Sequence, residues 1–300
     1  MTSWSAGTAV LNTPAKLNLS LRIVGRRDDG YHLLDSIVAP VSLFDDLAVT
    51  VEPSASSAVS LRCEPPSAAP PCQDNLAVRA AQAFLRQADT TARVSIVLRK
   101  RIPAGAGLGG GSSDAAGVLR ALNMLLSPPL GPAELAACGL QIGADVPVFL
   151  LGAPARMRGI GEVVERWSSA PTTPIVIVFG GIPLDTRSVY AKYDDLLTMS
   201  GSPSTIRALT PGREPLGTVM HNDLEAAAFH VQPELHALKR RLRSLGAEGV
   251  CMTGSGSAIF GYWQQWDDAH AAAEQLRGAG LWARVVQVLE RVPAVELVAG

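Results

Sequence analysis

Five of the seven residues from Gly105 to Gly111 are glycine, and the run ends in Ser112-Ser113-Asp114. Glycine loses more conformational freedom on folding than any other residue, so so dense a run has little structural use unless something must approach the backbone closely. Upstream, Ala92–Leu98 is rich in β-branched residues and predicts a strand. Downstream, Ala115, Val118, Leu119, Leu122, Leu125 and Leu126 recur at helical spacing, and Pro128 and Pro129 end the helix. A glycine loop between strand and helix delivers backbone N–H groups to a helix N-terminus, where unpaired donors and the dipole favour an anion. Phosphate is the expected ligand. The plainer reading is a glycine-rich turn with a serine N-cap.

The loop is not of the Walker type, because no lysine follows the glycines. Gly105-x-Gly107-x-x-Gly110 satisfies the dinucleotide fingerprint, but no second strand ending in an acid follows about 20 residues on. Asp114 brings negative charge close to the expected phosphates. A metal ion, held with help from the two serine hydroxyls, would relieve the conflict.

A chain of 300 residues is long for one core and predicts two domains. We place them at 1–167 and 168–300, with the boundary in the Ser/Thr/Pro-rich stretch 168–174. With 47% hydrophobic and 18% charged residues the chain is globular, and its net charge of −1 argues against nucleic acid as a partner. No apolar run is long enough for a membrane span, and residues 1–12 lack the pattern of a signal peptide. Cys63, Cys72, Cys138 and Cys251 form no paired motif, so the expected compartment is the cytoplasm.

The N-terminal part reads as β structure over Thr8–Leu11, Ala15–Val24, Ser36–Val41 and Asp46–Val51, with a polar turn at Gly25–Gly30. Residues 52–73, rich in Ser, Ala and Pro, read as a loop. Helices are expected from Asp74-Asn75 to Gln87, from Pro132 to about Gln141, over Thr186–Leu197, and over Glu234–Leu245 and Asp267–Arg277. Asn222 with Glu225 resembles a capping box. Strands are expected at Gly161–Trp167, Ile175–Phe179 and Ala283–Leu289, and Met252–Gly261 reads as a second glycine-serine loop between strands. Helices and strands mix without regular alternation, which predicts an α+β fold.

Phosphoryl transfer needs a phosphate cradle, a cation and a group that orients or deprotonates the acceptor. Asp145, in Gly143-Ala144-Asp145-Val146-Pro147, is the candidate base, and on local sequence it reads equally as the cap of a helix opened by Pro147. Lys16 is the candidate cation. Alternation puts Lys16, Asn18 and Ser20 on one strand face, and that face reads also as a solvated edge. Tyr31-His32 follows a tight turn and offers stacking and hydrogen bonding to a ring. Arg156 and Arg158 read as surface charge, with contact to phosphates as the alternative. His221, His230, His236 and His270 lack metal-ligand spacing, and no residue is assigned to a metal.

Three motifs together resemble the GHMP kinase superfamily: Pro14-Ala15-Lys16-Leu17-Asn18, the loop Pro103–Ser113, and Thr253–Ser257. The resemblance implies a two-domain α+β fold with the active site in the cleft between the domains. It implies a small-molecule kinase using ATP and Mg2+, with Asp145 as base and Lys16 beside it. The nucleotide would lie on Pro103, Ala104, Gly105, Ala106, Gly107, Leu108, Gly109, Gly110, Gly111, Ser112 and Ser113, with Asn75 and Lys100 on the adenine side. Gly30-Tyr31-His32 and the triple-glycine form of the loop point within the superfamily to an alcohol substrate bearing cytidine diphosphate, made into an isoprenoid precursor by the non-mevalonate route. Asn18 and Thr186 would bind that substrate, His32 would read the cytosine edge, and Tyr31 and Tyr190 would sandwich its ring. The resemblance implies neither nucleic acid nor membrane as partner, and a monomer or homodimer. Rival readings are a homoserine, mevalonate or galactose kinase, a ligand-binding regulator without turnover, and a nicotinamide oxidoreductase.

Overall fold

The computed structural model describes residues 4–66, 74–168, 172–200 and 216–298. Pro70, Pro71, Cys72 and the middle of the stretch expected to link the domains lie outside these residues. The strands are β1 (Gly7–Arg26), β2 (His32–Pro53), β3 (Ala58–Glu64), β4 (Ala92–Arg99), β5 (Ala155–Gly159), β6 (Val163–Arg166), β7 (Ile175–Phe179), β8 (His221–Asn222), β9 (Gly249–Met252), β10 (Ile259–Tyr262), β11 (Trp282–Val286) and β12 (Glu296–Val298). The helices are α1 (Leu76–Gln87), α2 (Gly110–Leu125), α3 (Pro132–Ile142), α4 (Val146–Leu151), α5 (Thr186–Ser200), α6 (Leu216–Val219), α7 (Glu225–Val231), α8 (Glu234–Ser244) and α9 (Trp266–Gly278). The α+β reading holds.

The four strands expected before residue 52 are two long ones. β1 and β2 pair antiparallel along their whole length, with register shifts between Pro14 and Ala15, Asn18 and Ser20, and Ile23 and Gly25. Pro14 has no N–H to give the ladder, so the pairing shifts there and continues beyond it. Part of the expected 52–73 loop is also a strand: β3 pairs parallel with β4, and its alternating Val59 and Leu61 pack on the core. β5 and β12 were not expected.

The larger sheet runs β12-β1-β2-β4-β3, with β5, β6 and β8 attached. Helices α1, α2 and α3 cover one face, where Phe84, Leu119 and Leu122 are fully buried against Val49 and Ile96. Each such side chain contributes about 2 kcal/mol of transfer free energy. The smaller sheet runs β11-β7-β10-β9. A shared cluster joins the sheets, with Leu17 and Ile37 from the first meeting Ile177 and Phe260 from the second. The first sheet also takes β8 and β12 from beyond residue 168. Among the described residues no helix is long and apolar enough to cross a membrane.

Candidate active site

The glycine loop leads into α2, which starts at Gly110, earlier than the apolar spacing suggested. The cap is Gly109 at φ +70°, with no side-chain hydrogen bond, so the serine-capped turn is not what forms. Ser112 and Ser113 lie in the first turn. The Ser113 N–H donates to the Gly109 carbonyl at 2.9 Å. The N–H groups of Gly110, Gly111 and Ser112 have no acceptor within the helix. The Ser113 hydroxyl is buried with no hydrogen-bond partner among the described residues.

Three backbone bonds pin the loop. The N–H of Lys16 donates to Leu108 at 2.9 Å, that of Ala258 to Ala106 at 3.0 Å, and that of Leu184 to Gly105 at 3.3 Å. Gly107 has φ +75°, and a Cβ there would sit 2.4 Å from the Thr253 carbonyl oxygen. The three motifs set far apart in the chain thus meet at the glycine loop. Pro103–Ser112, Asn75, Lys100 and Thr186 line a cavity of about 430 Å³.

Lys16 and Asn18 are buried, not solvated. The Lys16 Nζ lies 3.5 Å from Asp145 Oδ2 and donates to Asn18 Oδ1. It also lies 3.2 Å from where a Cβ on Gly254 would stand, so the ammonium emerges between the two glycine loops. Asn18 Nδ2 donates to Ser36 Oγ at 2.8 Å, which fixes its carbonyl toward the lysine. Asp145 precedes α4, but its side chain makes no cap hydrogen bond. Its side chain is 26% exposed beside a lysine that is 5% exposed, so the carboxylate faces solvent while the cation is held behind it. A carboxylate so placed can take a proton, and the ammonium can balance charge that develops nearby.

The second glycine loop joins β9 to β10 and is anchored from below. Asn18 N–H donates to Thr253 Oγ1 at 3.0 Å. Asn222 Nδ2 donates to the carbonyls of Met252 and Gly254, both at 2.8 Å. Glu225 does not complete a capping box. Its carboxylate accepts from the Met252 N–H at 3.1 Å and from Lys239, so both residues hold the loop instead.

Asp114 is buried and borders the smaller cavity. Its carboxylate accepts from Thr13 Oγ1 and from Lys100 Nζ, each at 2.7 Å. Lys100 also donates to Asp45 Oδ2 at 2.5 Å. The negative charge foreseen at Asp114 is paired with Lys100. Burial raises Asp114 to about 6 against the pull of Lys100. Burial would lower Lys100, but the two carboxylates outweigh it and raise it. Lys100 lines the nucleotide-sized cavity while spent on this ion pair, and Asn75 accepts from the Ala77 N–H at 2.9 Å as the cap of α1. Asp45 was not singled out from the sequence. Arg156 is no free surface charge, since its Nε and Nη2 grip Asp35 at 2.8 and 2.6 Å.

A second cavity of about 1020 Å³ is lined by Tyr31, His32, Gly143, Ala144, Thr186, Tyr190 and Asp194, among others. Gly143 and Ala144 immediately precede Asp145, and Thr186 borders both cavities and bonds to Ser255 Oγ at 2.8 Å. Tyr190 stacks on His32 itself, with centroids 4.9 Å apart and planes at 28°. Tyr31 is 65% exposed and stacks on no ring among the described residues, so the two tyrosines do not yet frame a slot. Burial raises the Tyr190 hydroxyl. Asp194, overlooked in the sequence, accepts from Arg26 and faces His32. Its one signal was helical phase, four residues after Tyr190. Among the described residues no group of three or more His, Cys, Asp or Glu gathers to hold a metal.

Residues 75–153 match the family of GHMP kinases N terminal domains, and residues 206–280 match that of GHMP kinases C terminal domains. A 4-diphosphocytidyl-2-C-methyl-D-erythritol kinase of Thermus thermophilus is 44% identical over 90% of this chain and 94% of its own length. One from Syntrophotalea carbinolica is 37% identical over 90% and 94%. The crystal structure of a 4-(cytidine 5'-diphospho)-2C-methyl-D-erythritol kinase superposes with a TM-score of 0.74 at 40% identity, covering 93% of this chain and 99% of that one. A homoserine kinase from Cytophaga hutchinsonii shares the fold, at a TM-score of 0.67 and 17% identity over 99% of each chain.

Proposed function

Because this chain belongs to the GHMP kinases, and among them to the 4-diphosphocytidyl-2-C-methyl-D-erythritol kinases, we propose that it moves the γ-phosphoryl group of ATP to the 2-hydroxyl of that cytidine-bearing alcohol, in the non-mevalonate route to isoprenoid precursors. The observation that carries this reading is the Lys16–Asp145 pair, 3.5 Å apart, with Lys16 packed beside Gly109 of the smaller cavity and Asp145 next in the chain to Gly143 and Ala144 of the larger.

The free N–H groups at the start of α2 and the unpaired Ser113 hydroxyl bind the phosphates. Asp145 takes the proton of the acceptor hydroxyl, and Lys16 balances the charge that grows on the acceptor oxygen. Asn18 holds Lys16 and contacts the substrate. Thr186 lies where donor and acceptor meet. Tyr31, His32 and Tyr190 receive the cytosine, and Asn75 borders the adenine side. Lys100 acts there from its ion pair, fixing the floor of the cavity. Most of the catalysis is positioning and charge neutralisation.

A magnesium ion bound with ATP needs only one or two protein oxygens, and the Ser113 hydroxyl fits that role without a carboxylate cluster. The ion would neutralise charge on the phosphates. The reading carries with it a cytoplasmic enzyme, monomeric or homodimeric, with domains meeting near residue 168.

The test is ADP release from purified protein with Mg-ATP, comparing the cytidine-bearing alcohol with homoserine, mevalonate and galactose. Release with the first alone is the expected result. Release with another acceptor alone would keep the kinase and discard the cytidine site.

A further inference from the structure

His32 Nε2 lies 2.8 Å from Asp194 Oδ1. An ionised carboxylate only accepts hydrogen bonds, so the proton of the ring sits on Nε2. In the neutral imidazole the other nitrogen is then an acceptor, because the hydrogen bond at one nitrogen dictates the tautomer at the other. No hydrogen bond to His32 Nδ1 exists among the described residues, and the ring borders the larger cavity.

Asp194 is itself held in place. Arg26 Nη1 stands 3.2 Å from its Oδ2, and Arg26 Nε donates to the Gly30 carbonyl at 3.1 Å. The carboxylate thereby ties α5 to the turn between β1 and β2, from which Tyr31 and His32 rise. The His32 ring has little freedom besides: Tyr190 stacks on it and Tyr193 meets it edge-on at 6.0 Å. A fixed ring with one committed nitrogen is a reader of hydrogen-bond polarity.

We propose that Asp194 makes the pocket selective for cytosine over uracil, by holding His32 as an Nε2–H tautomer whose bare Nδ1 accepts from the 4-amino group. This rests on the cytidine reading above. A 4-oxo group in the same place would turn a lone pair toward the lone pair of Nδ1. Sites built around a specific donor reject an analogue lacking it far more strongly than apolar pockets reject a missing methylene. Asp194 is a positioning residue, since it acts through His32.

The test is D194N in the full-length protein, assayed with the cytidine substrate and its uridine counterpart. An amide can accept from Nε2 or donate to it, so the tautomer is no longer imposed. We expect KM for the cytidine substrate to rise on the order of tenfold, as for one charge-assisted hydrogen bond. kcat and KM for ATP stay as they were, and the preference for cytidine over uridine narrows by a similar factor. Nitrogen NMR of the ring supplies an independent signature: Nε2 protonated and Nδ1 bare in the wild type, with both tautomers present in D194N. An unchanged preference in D194N, or a wild-type ring protonated on Nδ1, overturns the role of Asp194. Wild-type protein that turns over neither substrate overturns the cytidine reading itself.

Discussion

The two cavities are built from different material. The smaller is shaped largely by main chain: its loop is pinned by backbone bonds at Gly105, Ala106 and Leu108, with Asn75, Lys100 and Thr186 at its border. The larger is made of side chains, and its central contact, His32 to Asp194, joins residues 162 positions apart. A cavity shaped by backbone must be written as a contiguous string, because each φ value needs its own glycine. A cavity shaped by side chains needs only that distant residues arrive together, so its members look ordinary one by one. The first is least tolerant at Gly105, Gly107 and Gly109, where φ is positive and a Cβ would clash, while the second should be open to retuning at one position.

The sharpest test of that contrast lies at the junction. Asp145→Asn keeps the side chain's volume and removes the proton acceptor together with the charge that faces Lys16. kcat should fall on the order of a thousandfold, as for the loss of a general base, while ATP affinity measured by calorimetry stays nearly unchanged. Retained turnover would reduce Asp145 to a packing residue.

Gly107→Ala tests the backbone cavity. The φ of +75° is strained for alanine, and its Cβ would press to 2.4 Å from a carbonyl oxygen with no flexible atom to give way. We expect a loss on the order of 3 kcal/mol, divided between thermal stability and ATP binding. An unchanged melting temperature together with an unchanged KM for ATP would show that the loop can yield.

His32→Ala tests the side-chain cavity. It removes the partner of Asp194 and the ring beneath Tyr190, so KM for the cytidine substrate should rise on the order of thirtyfold while KM for ATP holds. A rise in the ATP constant instead would mean that the cavities are not separable.

What was readable in advance follows the same division. Gly105–Ser113 pointed to a loop that something approaches closely, and so to the anion proposed for it, because its composition is costly for anything else. Asp145 stood in a local string, though the side chain's actual direction was needed to show that it makes no cap hydrogen bond. Lys16 was ambiguous because alternation predicts a face and not what covers it: the glycine loops bury that face from 90 and more than 230 residues away. Asp45, Asp194 and the true work of Asn222 and Glu225 were hidden for one reason. Each is a polar residue satisfied by a partner remote in sequence. β1 and β2 were each read as two strands because a local pattern does not show that pairing continues through a shift of register, here where Pro14 faces Phe44 and Ala15 faces Val41.

The Asp45–Lys100–Asp114 group beneath the loop offers the smallest and most selective test. Asp114 is raised from 3.8 to about 6 by burial, so the folded state holds its proton more tightly than the unfolded state does. Stability contributed by this group must therefore increase as pH falls from 7 towards 4, opposite to an ordinary salt-bridged carboxylate. Lys100, raised instead, contributes its stability below its unfolded value and loses it only as pH climbs through the higher folded one, outside this window. Asp114→Asn keeps the volume and the contacts to Thr13 and Lys100 but cannot titrate. The difference in unfolding free energy between wild type and D114N should shift in favour of wild type by about 1 kcal/mol between pH 7 and pH 5, read from urea titrations. Titrating groups outside the Asp45–Lys100 pair are common to both proteins and cancel. A shift of the opposite sign would mean that Asp114 is a conventional ion-pair partner, held charged by Lys100 more strongly than burial opposes it.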